Sequence, residues 1–170
     1  MALTAATLAD GLKALTPTDN EADAIAAFSA AWEAYFAKAT VLGVAVNGGS
    51  LAGALGALEA ALVGMSATGA GAAKLQAGVV AFWGIVATSA AAIWTMVPPV
   101  PPPTAATPPA GITGIAAALV PVFASNTSGS VDLDTSATNV ANVIHPLNLG
   151  GIAVIPPPPP PTNPGPQPIL

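Results

Sequence analysis

The chain has 170 residues, of which 53% are hydrophobic, only 6% charged and 5% aromatic, with a net charge of −5. That length holds one domain with a core, or a domain with an arm; the charge content lies far below the ~25% usual for soluble domains. Three lysines without arginine cannot replace the counterions of a nucleic acid, so the composition argues against direct DNA or RNA binding and against docking on an anionic membrane.

Cysteine is absent, which excludes disulfides and thiolate metal sites. Much of the hydrophobic fraction is alanine, so burial is expected to come from many small contacts and close backbone approach. The start, Met1-Ala2-Leu3-Thr4, lacks the basic region and apolar run of a secretory signal. A glycosylation sequon at Asn126-Thr127-Ser128 therefore carries no weight. A surface with so little charge is expected to be covered by other subunits.

Residues 4–15 read as a short helix with Leu3, Leu8, Leu12 and Leu15 along one face, ended by Thr16-Pro17. Thr18-Asp19-Asn20-Glu21 has the form of a capping box. It opens a predicted helix over 19–41, whose stripe is Ile25, Phe28, Trp32, Tyr35 and Phe36. Those aromatics are expected in the core. After the turn Asn47-Gly48-Gly49-Ser50, Ser50 is expected to cap a helix over 51–63 with Leu51, Leu55, Leu58 and Leu62 inward. Gly53 and Gly56 cost that helix roughly 1 kcal/mol each relative to alanine, which suggests a close helix–helix approach there.

Residues 77–97, AGVVAFWGIVATSAAAIWTMV, carry no charge and hold Trp83 and Trp94. A helix over 72–96 is predicted, with Leu75, Val79, Phe82, Val86, Ala90 and Ile93 in one stripe. A helix apolar all round is buried on every side or lies in lipid. Its length fits the ~20 residues that span a bilayer. Glycine, serine and alanine dilute it, however, and only Lys74 flanks it. The favoured reading is a buried helix in an assembly.

Residues 98–110, PPVPPPTAATPPA, form a proline-rich linker, expected to be extended. At ~3.1 Å per residue it would reach ~40 Å, across a neighbouring subunit. A helix is predicted over 113–124, disturbed at Pro121. Asp134 or Thr135 is expected to cap a short helix ended by His145-Pro146. Residues 150–155, GGIAVI, are the one β-type segment. Residues 156–170 are six prolines followed by TNPGPQPIL, which form neither helix nor central strand.

The expected fold is therefore mainly α. Alanine-rich hairpins over about 4–41 and 51–96 make a helical body, 1–97, followed by the linker 98–110. A small helical part with one short strand, 111–155, and an extended polyproline arm, 156–170, complete the chain.

No residue set identifies a chemistry. His145, the one histidine, has only Asp132 and Asp134 as nearby carboxylates and reads as structural. Asp132-Leu133-Asp134 forms one acidic loop. Glu21 and Asp23 suit a helix N-terminus, where the dipole favours them. Gly69-Ala70-Gly71 precedes Lys74 without the spacing of a phosphate loop. Neither an enzyme activity nor a cofactor or metal is expected.

Three segments, MALTAATLADGLKAL, AIAAFSAAWEAYFAKATVLGVAV and NVANVIHPLNLGGIAV, resemble small virion structural proteins of tailed bacteriophages. The resemblance implies a capsid decoration, neck or tail-associated protein, located in a virion assembled in the host cytoplasm. Its partners would be copies of itself and other structural proteins of the particle. The expected assembly contacts are Phe82, Trp83 and Trp94 in the body. In the arm they are Pro156, Pro157, Pro158, Pro159, Pro160 and Pro161. The alternatives are a small membrane protein anchored by residues 77–97, or an interaction module that displays polyproline to a partner's aromatic groove.

Overall fold

Helix α1 (Ala5–Lys13) starts where the Thr4 hydroxyl accepts the Thr7 amide at 3.2 Å, and it buries Leu8, Ala9 and Leu12. The computed structural model describes residues 3–15, 20–67, 69–96, 100–127 and 132–156. Thr18 and Asp19 of the expected capping box lie outside these. Asn20 is the cap of α2 (Glu21–Phe36), its side chain accepting the Ala22 amide at 3.0 Å. The aromatic stripe is buried as expected: Ile25, Phe28, Trp32, Tyr35 and Phe36 are 0–8% exposed.

Helix α2 ends five residues before the expected 41. The chain turns into a two-stranded hairpin, β1 (Thr40–Val41) against β2 (Val44–Ala45). Leu42 and Gly43 form its two-residue turn, both with positive φ, +49° and +81°. Two positive φ values match the right-handed twist of paired strands, and the β-branched Thr40, Val41, Val44 and Val46 favour strand over helix.

Ser50 does not cap α3. It ends a 3₁₀ turn, Gly48–Ser50, and α3 (Ala52–Leu62) starts beyond it with no side-chain cap. The 3₁₀ turn leads straight into the helix: Ser50 N bonds Asn47 O at 2.9 Å and Leu51 N bonds Gly48 O at 3.1 Å. Helix α4 (Gly71–Ile93) packs antiparallel-hairpin fashion on α3, and they form the most extensive helix pair among the described residues. The glycine at that contact is not Gly53 or Gly56. It is Gly78, where an added Cβ would lie 2.9 Å from Leu58 Cδ1. Nothing approaches Gly56 within 4 Å.

Ser89 interrupts α4 with non-helical dihedrals, and the helix stops at Ile93 rather than 96, with Trp94 extended at its end. The Asn47 amide donates to the Ile93 carbonyl at 2.8 Å and so ties the hairpin segment to that end.

Residues 100–110 do not hang free of the body. Ala105–Thr107 is strand β3, packed on α4 and paired antiparallel with β4 (Ile152–Val154) in the register Ala106 opposite Ala153. A 3₁₀ turn, Ala110–Gly114, leads into α5 (Ile115–Thr127). Pro121 sits inside α5 without breaking it, although it removes an amide donor.

Helix α6 (Leu133–Leu147) is capped by Asp132, two residues before Asp134 and three before Thr135, the expected candidates. Asp132 Oδ1 accepts the Thr135 amide at 2.8 Å. His145 and Pro146 lie within its last turn rather than beyond it, and Asn148 closes the helix. Helix α6 packs mainly on α1, and α5 on α4. The architecture is mainly α with two small two-stranded sheets. One hydrophobic cluster runs from Leu8 to Ile144.

Candidate functional site

The end of α2, the middle of α4 and the end of α6 converge on an aromatic group centred on Phe36. Its ring meets Phe82 at 4.8 Å, Trp83 at 5.4 Å and Trp94 at 6.2 Å, the first two edge-on. Trp32 extends the group, with Phe82 edge-on at 5.8 Å and Tyr35 at 5.5 Å. Such tilted and edge-on pairs are the arrangements that aromatic quadrupoles favour. The helical spacing of Trp32, Tyr35 and Phe36 on α2 and of Phe82 and Trp83 on α4 places these rings on facing sides.

A chain of polar groups runs beside the rings. Trp83 Nε1 donates to Asn148 Oδ1 at 2.6 Å. Asn148 Nδ2 makes a longer, 3.5 Å contact with the Tyr35 hydroxyl. The Tyr35 hydroxyl is 2.9 Å from His145 Nδ1. An indole only donates, so it fixes the amide with its oxygen toward Trp83 and its nitrogen toward Tyr35. The tyrosine oxygen then accepts from Asn148 and donates its proton to His145 Nδ1. That direction belongs to the neutral imidazole with its proton on Nε2.

Burial lowers the His145 pKa. Burial also raises the Tyr35 pKa, an effect partly offset by the Asn148 hydrogen bond. Tyr35 is fully buried and Asn148 is 1% exposed. The tyrosine oxygen stays protonated and closed to solvent, and the chain of bonds locks the C-terminal end of α6 onto α2 and α4. The indole nitrogens of Trp32 and Trp94 are buried with no acceptor.

Next to this lock lies a cavity of about 250 Å³. Phe36, Trp83 and Trp94 form one wall, and Asn148 and the 149–153 segment leading through β4 form another. No charged residue lines it; Thr40 and Asn148 are its polar side chains. A second cavity of about 310 Å³ lies between α1, α2, α4, α5 and α6, among Leu12, Phe28, Leu75, Phe123 and Val140, with Lys13 beside it.

Phe82, Trp83 and Trp94, expected as contacts with neighbouring subunits, are 0%, 5% and 3% exposed within this single chain. Their faces are taken up by the core, apart from what Trp83 and Trp94 offer to the cavity. Pro156 is half-buried; Pro157 to Pro161 lie outside the described residues. Asn148 and Tyr35 were not legible as a pair in the sequence, since they stand 113 residues apart and no spacing marks them. Among the described residues no three His, Asp or Glu side chains gather as a metal site would require.

At the opposite edge, Glu21 accepts both the amide and the hydroxyl of Ser66, at 2.9 and 2.8 Å. These bonds hold its carboxyl below the usual range and pin the start of α2 to the α3–α4 connection.

No protein-family model matches the chain, and neither a curated protein nor a solved structure resembles it significantly.

Proposed function

We propose that the chain is a non-enzymatic structural subunit that assembles with copies of itself. The observation that carries this reading is the outer face of the α3–α4 hairpin. Its exposed positions are Ala52, Gly53, Gly56 and Ala60 on α3, and Ala77, Val80, Gly84 and Ile85 on α4. The two rows adjoin, since a Cβ on Gly53 would meet Ile85 Cγ2 at 3.8 Å. The only hydroxyl on the exposed positions of that α4 face, Thr88, bonds back to Ile85 O at 3.1 Å. The face carries small and apolar side chains at its exposed positions, with the partly exposed Glu59 at its border. Apolar area removed from water contributes roughly 25 cal/mol per Å², and small side chains let two backbones come close. A second copy presents the same apolar rows, so a two-fold pairing is self-complementary.

The particle we propose is a tailed-phage virion, with the chain as a capsid decoration or a neck or tail component. That step rests on the resemblance of the three segments quoted above. Size-exclusion chromatography with light scattering tests the assembly reading. The chain should associate with rising concentration, and association should resist salt, because no ion pair is involved. V80K and I85K should return it to monomer with the helical spectrum unchanged. A monomer at all concentrations overturns the reading.

A second reading is favoured by one observation. Helix α4 is 23 residues long and apolar enough, by length and composition, to cross a bilayer. Its inner residues Phe82, Val86 and Ile93 are fully buried against the rest of the chain, so a span would have to give up that packing. Flotation with lipid vesicles separates the two readings: cofloating chain that resists carbonate supports the membrane anchor.

A further inference from the structure

We infer that Asn47 is a modification site, at which the folded chain converts its own side-chain amide into an aspartyl or isoaspartyl residue through a cyclic imide with Gly48. The inference stands apart from the assembly reading, since it needs neither the α3–α4 face nor a second copy.

Asn47-Gly48 is the chain's one Asn-Gly step; the other asparagines precede Glu21, Thr127, Val140, Val143, Leu149 and Pro164. In such a step the Gly48 backbone nitrogen attacks the Asn47 side-chain carbonyl carbon, Cγ. A new C–N bond closes the ring and the bond from Cγ to the side-chain nitrogen breaks. That nitrogen leaves as ammonia, taking up the proton lost by the Gly48 amide. Water then opens the imide at either carbonyl. One opening gives aspartate. The other gives isoaspartate, whose main chain runs through Cβ and is one methylene longer. A side chain on the following residue crowds the attacking nitrogen, which glycine leaves bare, and proline has no N–H to lose.

The fold leaves the reacting atoms open. Asn47, Gly48 and Gly49 are exposed. The Asn47 side chain makes no capping bond to the 3₁₀ turn that follows it, and the Gly48 amide donates to no described backbone carbonyl. A Cβ on Gly48 would meet nothing within 4 Å, and one on Gly49 would meet Asn47 Oδ1 at 3.7 Å. The side-chain amide therefore lies beside the two glycines.

Folding slows the step without closing it. The Asn47 ψ of +103° turns the Gly48 nitrogen away from Cγ, so ring closure needs the Asn47–Gly48 peptide to turn over. That turnover breaks the bond from Ser50 N to Asn47 O, 2.9 Å long. One exposed hydrogen bond is worth little net, so its loss slows the reaction by about tenfold at most. Two glycines in succession absorb the dihedral change.

The modification falls at a joint. The Asn47 amide donates to Ile93 O at 2.8 Å and ties the β1–β2 hairpin to the end of α4, next to Trp94, which packs on Phe36. The aspartyl product keeps this backbone. The isoaspartyl product lengthens it between the bond to Ile93 and the bond from Ser50, and puts the two out of register.

The test incubates the full chain in mildly alkaline buffer, folded and unfolded in urea, and maps its peptides by mass spectrometry. The peptide holding Asn47 should gain the mass that replaces NH2 by OH, mostly as isoaspartate, and the folded chain should convert no more than about tenfold more slowly than the unfolded one. Gly48→Ala, which has open space for its methyl, should slow conversion at least about tenfold. The converted chain should exchange the amides of residues 40–50 faster than the fresh chain, whereas Asn47→Asp, the aspartyl product made directly, should not. A folded chain that keeps its mass while the unfolded one converts more than about a hundredfold faster overturns the inference, because the turn then shuts the reaction off. Equal conversion at Asn139 or Asn142 overturns it as well, because the glycine is then not the cause. Unchanged exchange in the isoaspartyl chain overturns the role of the joint.

Discussion

Trp83 and Asn148, 65 residues apart, share a 2.6 Å hydrogen bond, with both residues buried. The bond orients the amide, and the amide orients Tyr35. In a core built largely of alanine and leucine, this bond and the Tyr35–His145 bond beside it are polar contacts that tie the end of α6 to α4 and α2.

Asn148→Ala should therefore cost more than a hydrogen bond. It leaves the Trp83 N–H buried without a partner and removes the donor facing Tyr35. An unsatisfied buried group costs about 1–3 kcal/mol. For a chain of this size, each kcal/mol lowers the Tm by roughly 2–4 °C. Thermal unfolding followed by circular dichroism measures it, and a change within 1 °C would refute the lock.

Acidification should weaken the fold as His145 titrates. Its pKa is lowered from 6.5 in the folded chain because burial disfavours the charged ring. Between the folded pKa and 6.5 the unfolded chain binds more protons, so stability is full above about 6.5 and falls as pH drops toward the folded pKa. Protonation also puts a hydrogen on Nδ1, which can no longer accept from Tyr35. His145→Gln should flatten this part of the urea-midpoint profile. Glu21 and Asp132, both lowered by hydrogen bonds, leave a separate loss below about pH 4.

Two glycines should respond in opposite directions to alanine. Gly56 is exposed in α3 with open space around it, so Gly56→Ala should stabilise by about 1 kcal/mol. A Cβ on Gly111 would lie 2.7 Å from Leu147 O and 3.0 Å from its Cα. Backbone atoms cannot swing aside, and Gly111→Ala should destabilise by about 1–3 kcal/mol. Denaturant midpoints of the two variants test the pair.

Leu42 is 72% exposed and holds φ at +49°. It makes little packing contribution to offset a left-handed backbone, which costs of order 1 kcal/mol for such a residue. Leu42→Asn should therefore raise stability by up to about 1 kcal/mol, read from the same midpoints.

The sequence determined by itself what local periodicity and burial can determine. The stripe Ile25, Phe28, Trp32, Tyr35 and Phe36 marked a buried helix face, because side chains at those offsets share one side whatever they pack against. Leu51, Leu55, Leu58 and Leu62 did the same for α3, and the GGIAVI segment marked a strand. Helix ends were less legible. The expected α2 ran through 41 because apolar residues continue there, whereas the Leu42-Gly43 turn pairs β1 with β2. Ser50 looked like a cap because a hydroxyl precedes the leucines, but it closes a 3₁₀ turn and α3 starts two residues later without a side-chain cap.

Only the tertiary structure decided the rest, for a common reason: the deciding contacts join residues far apart in the chain. Ala105–Thr107 reads as spacer until β4 arrives to pair with it. Gly78, rather than Gly53 or Gly56, is needed for helix contact because the crossing of α3 and α4 places Leu58 against it. Trp83 and Trp94 could face a neighbour or the core, and the position of Phe36 puts them in the core. Asn148 carries no local signal at all; its role exists only once α2, α4 and α6 bring Tyr35, Trp83 and His145 to it.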